Sequence, residues 1–317
     1  MSNQLTNPVL FVGIGGAGSK LALEAKDILG AECLLISHDE KDLESSHPSI
    51  KISTESIINP SVQLIRGFTS KNADSIKDKI SNYSTVILIA NLAGKDGAAM
   101  APVISRICKE NNKNTVSFAI MPFKYEKDRI FNSGIALKRV RANCDCTVVL
   151  DNDALLDSNP DLTIDNCYKI ANSAILYAID SMKNSEIPQD INILTTSKSN
   201  QDLETALRDS LKMLYEDAPP SSVKRSLLHV IGGNSMSVGL LNSISNITRG
   251  MFNDENTRVD LSTSSSDESK IIMLSTVQGE TQFEKYDPLG VIPSENTLDW
   301  DEPDCSIDCK LDLYQLE

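Results

Sequence analysis

The run Gly13-Ile14-Gly15-Gly16-Ala17-Gly18 constrains this chain more than any other feature. It has the spacing G-x-G-x-x-G, follows the apolar stretch 8–13, and precedes residues 19–29, whose apolar side chains recur at helical spacing. A strand, a glycine turn and a helix in that order form a phosphate-binding unit. The glycines let the backbone turn sharply and come close to an anion, and the unpaired N–H groups of the first helical turn then face it. The unit implies an α/β architecture. Short apolar runs at 32–37, 85–90, 116–121 and 146–150 alternate with helical patterns at 74–80 and 101–110, the latter with Pro102 in its first turn. Buried strands separated by helices predict a parallel sheet with helices on both faces.

A long helix is expected over 165–182. Beyond it the pattern changes. Helices are predicted at 202–214 and 238–251, and strands at 226–233, 257–261 and 270–276, with the polar run 262–269 between the last two. The expected organisation is a nucleotide-binding domain over 1–182 that includes the long helix, a smaller α+β domain over 183–286, and an acidic segment over 287–317.

Charge is unevenly spread. The chain has 44 acidic and 30 basic residues, a formal charge of −14. Residues 287–317 hold nine of those acids and one base, Lys310, for −8, which leaves −6 for the other 286 residues. An acidic chain is a poor ligand for nucleic acid or an anionic membrane surface, since both need cations to neutralise phosphates. The opening residues do not form a signal peptide, and no apolar run is long enough to span a bilayer. Cys144-x-Cys146 and Cys305-x-x-x-Cys309 lack further ligands nearby, so no structural metal is expected. The seven cysteines read as reduced thiols and the protein as cytoplasmic.

The glycine run alone does not choose its nucleotide. An NAD-type site wants an acid about 20 residues on, and Asp39 stands there. No catalytic candidate follows for that chemistry, because His229 lies in an apolar run.

Later segments form an ordered series. Ser37-His38-Asp39 follows the second strand, Asn59-Pro60 lies in a later loop, and Ala101-Pro102-Val103-Ile104 lies in a helix. Pro122-Phe123-Lys124-Tyr125-Glu126, Asp151-Asn152-Asp153-Ala154-Leu155-Leu156, and Tyr168 with Asn172 on the long helix complete it. In this order the chain resembles the FtsZ branch of the tubulin/FtsZ superfamily, over nearly all of the body to about residue 279. The resemblance implies GTP or GDP as ligand, with Mg accompanying GTP. The implied site consists of Gly13, Gly15, Gly16, Ala17 and Gly18 in the first loop, Gly94, Lys95 and Gly97 in the second, Glu126 and Arg129 beyond, and Tyr168 and Asn172 at the base. It also implies filaments built through longitudinal subunit contacts.

The chain departs from the family at two places. Where the family has Gly-Gly-Gly-Thr-Gly-Thr-Gly, residues 93–99 read Ala-Gly-Lys-Asp-Gly-Ala-Ala. Both threonines are gone, and Asp96 brings a negative charge to a phosphate site, with Lys95 beside it to offset or pair with it. The acidic loop that the family inserts toward the neighbouring subunit's γ-phosphate is also missing. In residues 183–192 only Asp190, with Glu186 behind it, stands as a candidate catalytic acid. The expectation is an FtsZ-like cytoskeletal protein with weakened nucleotide binding and slow or absent hydrolysis. The alternative is a nucleotide-independent scaffold of the same fold. The acidic segment is expected to meet a basic protein partner.

Overall fold

A computed structural model describes residues 5–55, 57–183, 189–199, 202–232, 237–252, 257–266, 268–279 and 281–286. Glu186 and the segment 287–317, with Cys305 and Cys309, lie outside the described residues.

The chain opens with β1 (Val9–Ile14), α1 (Gly15–Leu29), β2 (Glu32–Ser37), β3 (Ser49–Lys51), α2 (Val62–Lys71), α3 (Ala73–Ile80), β4 (Thr85–Asn91) and α4 (Lys95–Glu110). It continues through β5 (Asn114–Met121), α5 (Lys127–Asn143), β6 (Cys146–Asp151), α6 (Asn152–Ser158) and α7 (Ile164–Ser181). The last part comprises β7 (Asp190–Thr196), α8 (Leu203–Asp217), β8 (Val223–Gly232), α9 (Val238–Met251), β9 (Arg258–Ser265) and β10 (Lys270–Val277). One sheet of ten strands runs through the molecule in the order β3-β2-β1-β4-β5-β6-β7-β10-β8-β9. The strands from β3 to β7 in that order are parallel to their neighbours, and β10 pairs antiparallel with both β7 and β8. The boundary expected at residue 182 falls between α7 and β7, inside this continuous sheet.

The parallel strands are buried on both faces, which is why they read as unbroken apolar runs. Leu10, Val12, Val86 and Leu88 point into one core, beneath α2, α4 and α8. Val9, Phe11, Ile87 and Ile89 point into the other, beneath α1 and α7. Among the described residues no helix is long and apolar enough to cross a membrane.

Two elements begin earlier than the sequence suggests. Helix α1 starts at Gly15, so the glycine turn is already its first turn, with Gly15 at φ +65°. Helix α4 starts at Lys95, so the stretch 95–99 is helical rather than loop, and Pro102 lies inside the helix rather than at its start. An internal proline cannot donate to the carbonyl four residues back. That carbonyl, of Ala98, instead accepts from the Arg66 guanidinium at 3.4 Å. Arg66 is itself buried in α2.

Candidate nucleotide-binding site

The parallel strands end along one edge of the sheet. The turns Gly13–Gly18, Asn91–Lys95, Met121–Glu126 and Asp151–Asp153 therefore lie side by side. The strand order reverses between β1 and β4, the position at which open α/β sheets bind ligands beyond their carboxyl ends.

The glycines in the first turn have different physical reasons. A Cβ on Gly18 would stand 2.2 Å from the Ile89 carbonyl oxygen, and one on Gly13 would stand 2.6 Å from the Ser19 Cα. Both positions serve close packing of α1 on the sheet. Gly15 and Gly16 face side chains from other segments. A Cβ on Gly15 would stand 2.9 Å from the Asp96 Cβ, and one on Gly16 would stand 2.6 Å from Asp42 Oδ1. Helix α1 has no side-chain cap and no acid in its first turn, so its leading N–H groups have no anion of their own helix. Gly16 and Ala17 are exposed.

The groups opposite these glycines are carboxylates. Asp96, 6% exposed, lies with Oδ2 2.6 Å from Ser37 Oγ and accepts from the His38 backbone N–H at 3.2 Å. Its Oδ1 is 2.5 Å from His38 Nδ1. Ser37 Oγ is also 2.7 Å from Asp42 Oδ2, and its single hydrogen serves one of the two carboxylates at a time. The expected offset from Lys95 does not occur. Lys95 is exposed and binds Asn59 Oδ1 and the Pro60 carbonyl, the latter at 3.1 Å, which ties the 59–60 loop to the start of α4. Gly94 precedes α4, and a Cβ on Gly97 would stand 2.0 Å from the Asn91 carbonyl oxygen, so Gly97 is a packing glycine. Asp42 was not singled out by its position in sequence. Its only signal is the acidic cluster Asp39, Glu40, Asp42, Glu44. Asp39 is exposed and caps the turn at Lys41.

Further along the edge stands an aromatic group. Phe123, fully buried, stacks on Tyr125 at 5.3 Å and meets Tyr168 of α7 edge-on at 5.8 Å. Tyr125 is 58% exposed and Tyr168 36%, so both present ring surface. Burial, and then Glu126, push the Tyr168 hydroxyl's pKa up. Asn172 lies one turn along α7 and is half-buried. Glu126 accepts from the Phe123 N–H at 3.1 Å and pairs with Arg129 at 2.7 Å. Lys124 pairs with Asp153 and Asp157, each at 2.6 Å, and these contacts raise its pKa. The edge therefore offers backbone N–H groups at one end, with two carboxylates set against them, and a planar aromatic surface at the other. Asp190 begins β7, a strand parallel to β6, and so lies on the opposite edge of the sheet. Among the described residues no group of three or more His, Cys, Asp or Glu could hold a metal ion.

Residues 8–160 match the Tubulin/FtsZ family, GTPase domain. Cell division protein FtsZ 2 of Methanocaldococcus jannaschii is 24% identical, with 74% of this chain aligned to 70% of that protein. Cell division protein FtsZ 1 of Thermococcus kodakarensis is 27% identical, over 56% of this chain and half of its own length. Two solved structures share the fold. An empty FtsZ dimer from M. jannaschii superposes with TM-score 0.69 at 18% identity, covering 88% of this chain and 90% of that one. A GTPγS-bound protofilament of CetZ2 from Haloferax volcanii superposes with TM-score 0.68 at 15% identity, covering 89% and 98%.

Proposed function

We propose, on the premise that the chain belongs to the tubulin/FtsZ superfamily as a divergent FtsZ-like member, that it is a cytoskeletal protein with an impaired nucleotide site. It stacks head to tail, holds GTP or GDP weakly, with Mg entering alongside GTP, and hydrolyses GTP slowly or not at all. The observation that carries this reading is Asp96, buried against Gly15 and bonded to Ser37 and His38. A carboxylate about 4 Å from a phosphate charge is repelled by roughly 4 kcal/mol at an effective dielectric near 20. The glycine turn still supplies N–H donors, so binding is reduced rather than abolished.

The same reading covers the rest of the chain. Asp190, on the sheet edge opposite the phosphate turn, meets the next copy's nucleotide edge in a head-to-tail stack and is the one acid nominated for hydrolysis. The five free cysteines among the described residues suit a reducing cytoplasm. Residues 287–317 act as the acidic segment that a basic surface recognises.

The test is Asp96→Asn, which keeps the shape and removes the charge. Calorimetry is expected to show GDP binding at least tenfold tighter in the variant, and wild-type GTP turnover to be slow or undetectable. Unchanged affinity, or brisk turnover by the wild type, overturns the reading. The scaffold alternative is favoured by one observation: Ser37 already lies between two carboxylates, Asp42 and Asp96. It gains if GTP and GDP leave the melting temperature of both wild type and variant unmoved while filaments still pellet.

A further inference from the structure

After β10 the chain crosses back and lies on α5. Glu284 pairs with Arg141 at 2.6 Å. Two residues later the Tyr286 backbone covers Gly134, where a Cβ would stand 2.8 Å from the Tyr286 carbonyl carbon. The strap 281–286 thus runs from the C-terminal end of α5 toward its N-terminal end. Lys127, Phe131, Gly134, Lys138 and Arg141 fall at spacings of three and four, so they form one stripe of the helix. The strap covers the lower part of that stripe. The upper part is open: Phe131 is 39% exposed, and Lys127 is exposed and makes no ion pair with a described residue. The exposed ring of Tyr125 stands in the turn that precedes the helix.

We infer that residues 287–317 continue the strap's path and dock in cis along this upper stripe, across Phe131 and Lys127 to Tyr125. From Gly134 to Lys127 the helix rises about 10 Å. Four extended residues span about 13 Å, so the segment reaches the whole stripe with chain to spare. Its chemistry matches. Leu289, Val291 and Ile292 follow the strap within six residues and can cover Phe131. The segment's acids suit Lys127, the charged residue of the open upper part. Trp300, flanked by Asp299 and Asp301, supplies an aromatic ring for Tyr125 and acids for Lys127.

Trp300 is the only tryptophan in the chain and reports on its own docking. In the full chain its emission is expected to be blue-shifted, and its quenching by iodide reduced, relative to a 287–317 peptide. The shift is expected to vanish in high salt, in Lys127→Glu with Phe131→Ser, and in Asp299→Asn with Asp301→Asn and Glu302→Gln, which alters no described residue. A full-chain spectrum equal to that of the peptide, or a shift these variants leave untouched, overturns the inference. So does a shift lost on hundredfold dilution, which would place the segment on a second copy.

Discussion

Glycine, at the scale of single residues, has two separable uses in the phosphate turn, and substitution distinguishes them. At Gly18 an added methyl meets the Ile89 carbonyl oxygen at 2.2 Å, and Ile89 cannot move away without disturbing the β1–β4 pairing. Gly18→Ala is expected to cost about 1–3 kcal/mol, the range for forcing a methyl into a packed site, measured by urea denaturation. Gly30 ends α1 at φ +61° with open space around it, so Gly30→Ala should cost only the left-handed backbone penalty of about 1 kcal/mol. Equal losses at the two sites would contradict this assignment. The glycine spacing was legible in the sequence because a turn is a local requirement. The partners of the turn were not equally legible. Asp96 stood out only through the resemblance, and Asp42 reaches Gly16 by a tertiary approach from the turn after β2 that spacing does not encode. The contact of Lys95 with Asn59 rather than Asp96 likewise depends on where the 59–60 loop returns.

Helix α4 shows the same limit for a whole element. Its proline suggests a helix start, yet the helix continues through it because Arg66, from α2, satisfies the freed Ala98 carbonyl. Arg66→Met keeps much of the side chain's bulk and removes that donor. It is expected to cost about 1–3 kcal/mol, the penalty for a buried acceptor left unmade. Pro102→Ala in the same background should recover part of it, since the alanine supplies the missing backbone N–H. No coupling between the two changes in a double-mutant cycle would refute the compensation. Other elements escaped the sequence reading for related reasons. The buried residues of α5 are Ser133, Gly134, Ala136, Leu137 and Val140, too small and polar to show helical periodicity. Gly134 is covered by the returning Tyr286. Strand β7 follows α7 closely, where the resemblance suggested a loop, and its place is set by pairing with β6 and β10. By contrast, β1, β4 and α7 were legible, because each buries a continuous face whose period survives in the sequence.

At the scale of the whole molecule, a pair of buried carboxyls meets where its two halves pack together. Asp151 ends β6 and Asp217 ends α8; they are 3% and 1% exposed. Burial pushes Asp151 up to about 6, even though the Asp153 N–H and Asp217 stabilise its charge. Burial, and then the charge of Asp151, push Asp217 well up. Unfolded aspartates titrate near 3.9. The folded chain therefore holds more protons than the unfolded chain from about pH 4 upward, and stability falls as pH rises through 6. His229 acts in the opposite sense in a neighbouring window. Burial lowers its pKa, so its contribution rises with pH as the unfolded imidazole loses its proton near 6.5. It is only half-buried and bonded to Ser262 and Ser264, which makes it the weaker of the two opposing effects. The net expectation is a lower melting temperature at pH 7.5 than at pH 5. Asp217→Asn removes the Asp217 titration, so it should flatten that fall and leave only the part set by the burial of Asp151. A wild-type melting temperature that climbs from pH 5 to 7.5, or a variant with the wild-type slope, would show that the β6–α8 junction carries no shared proton.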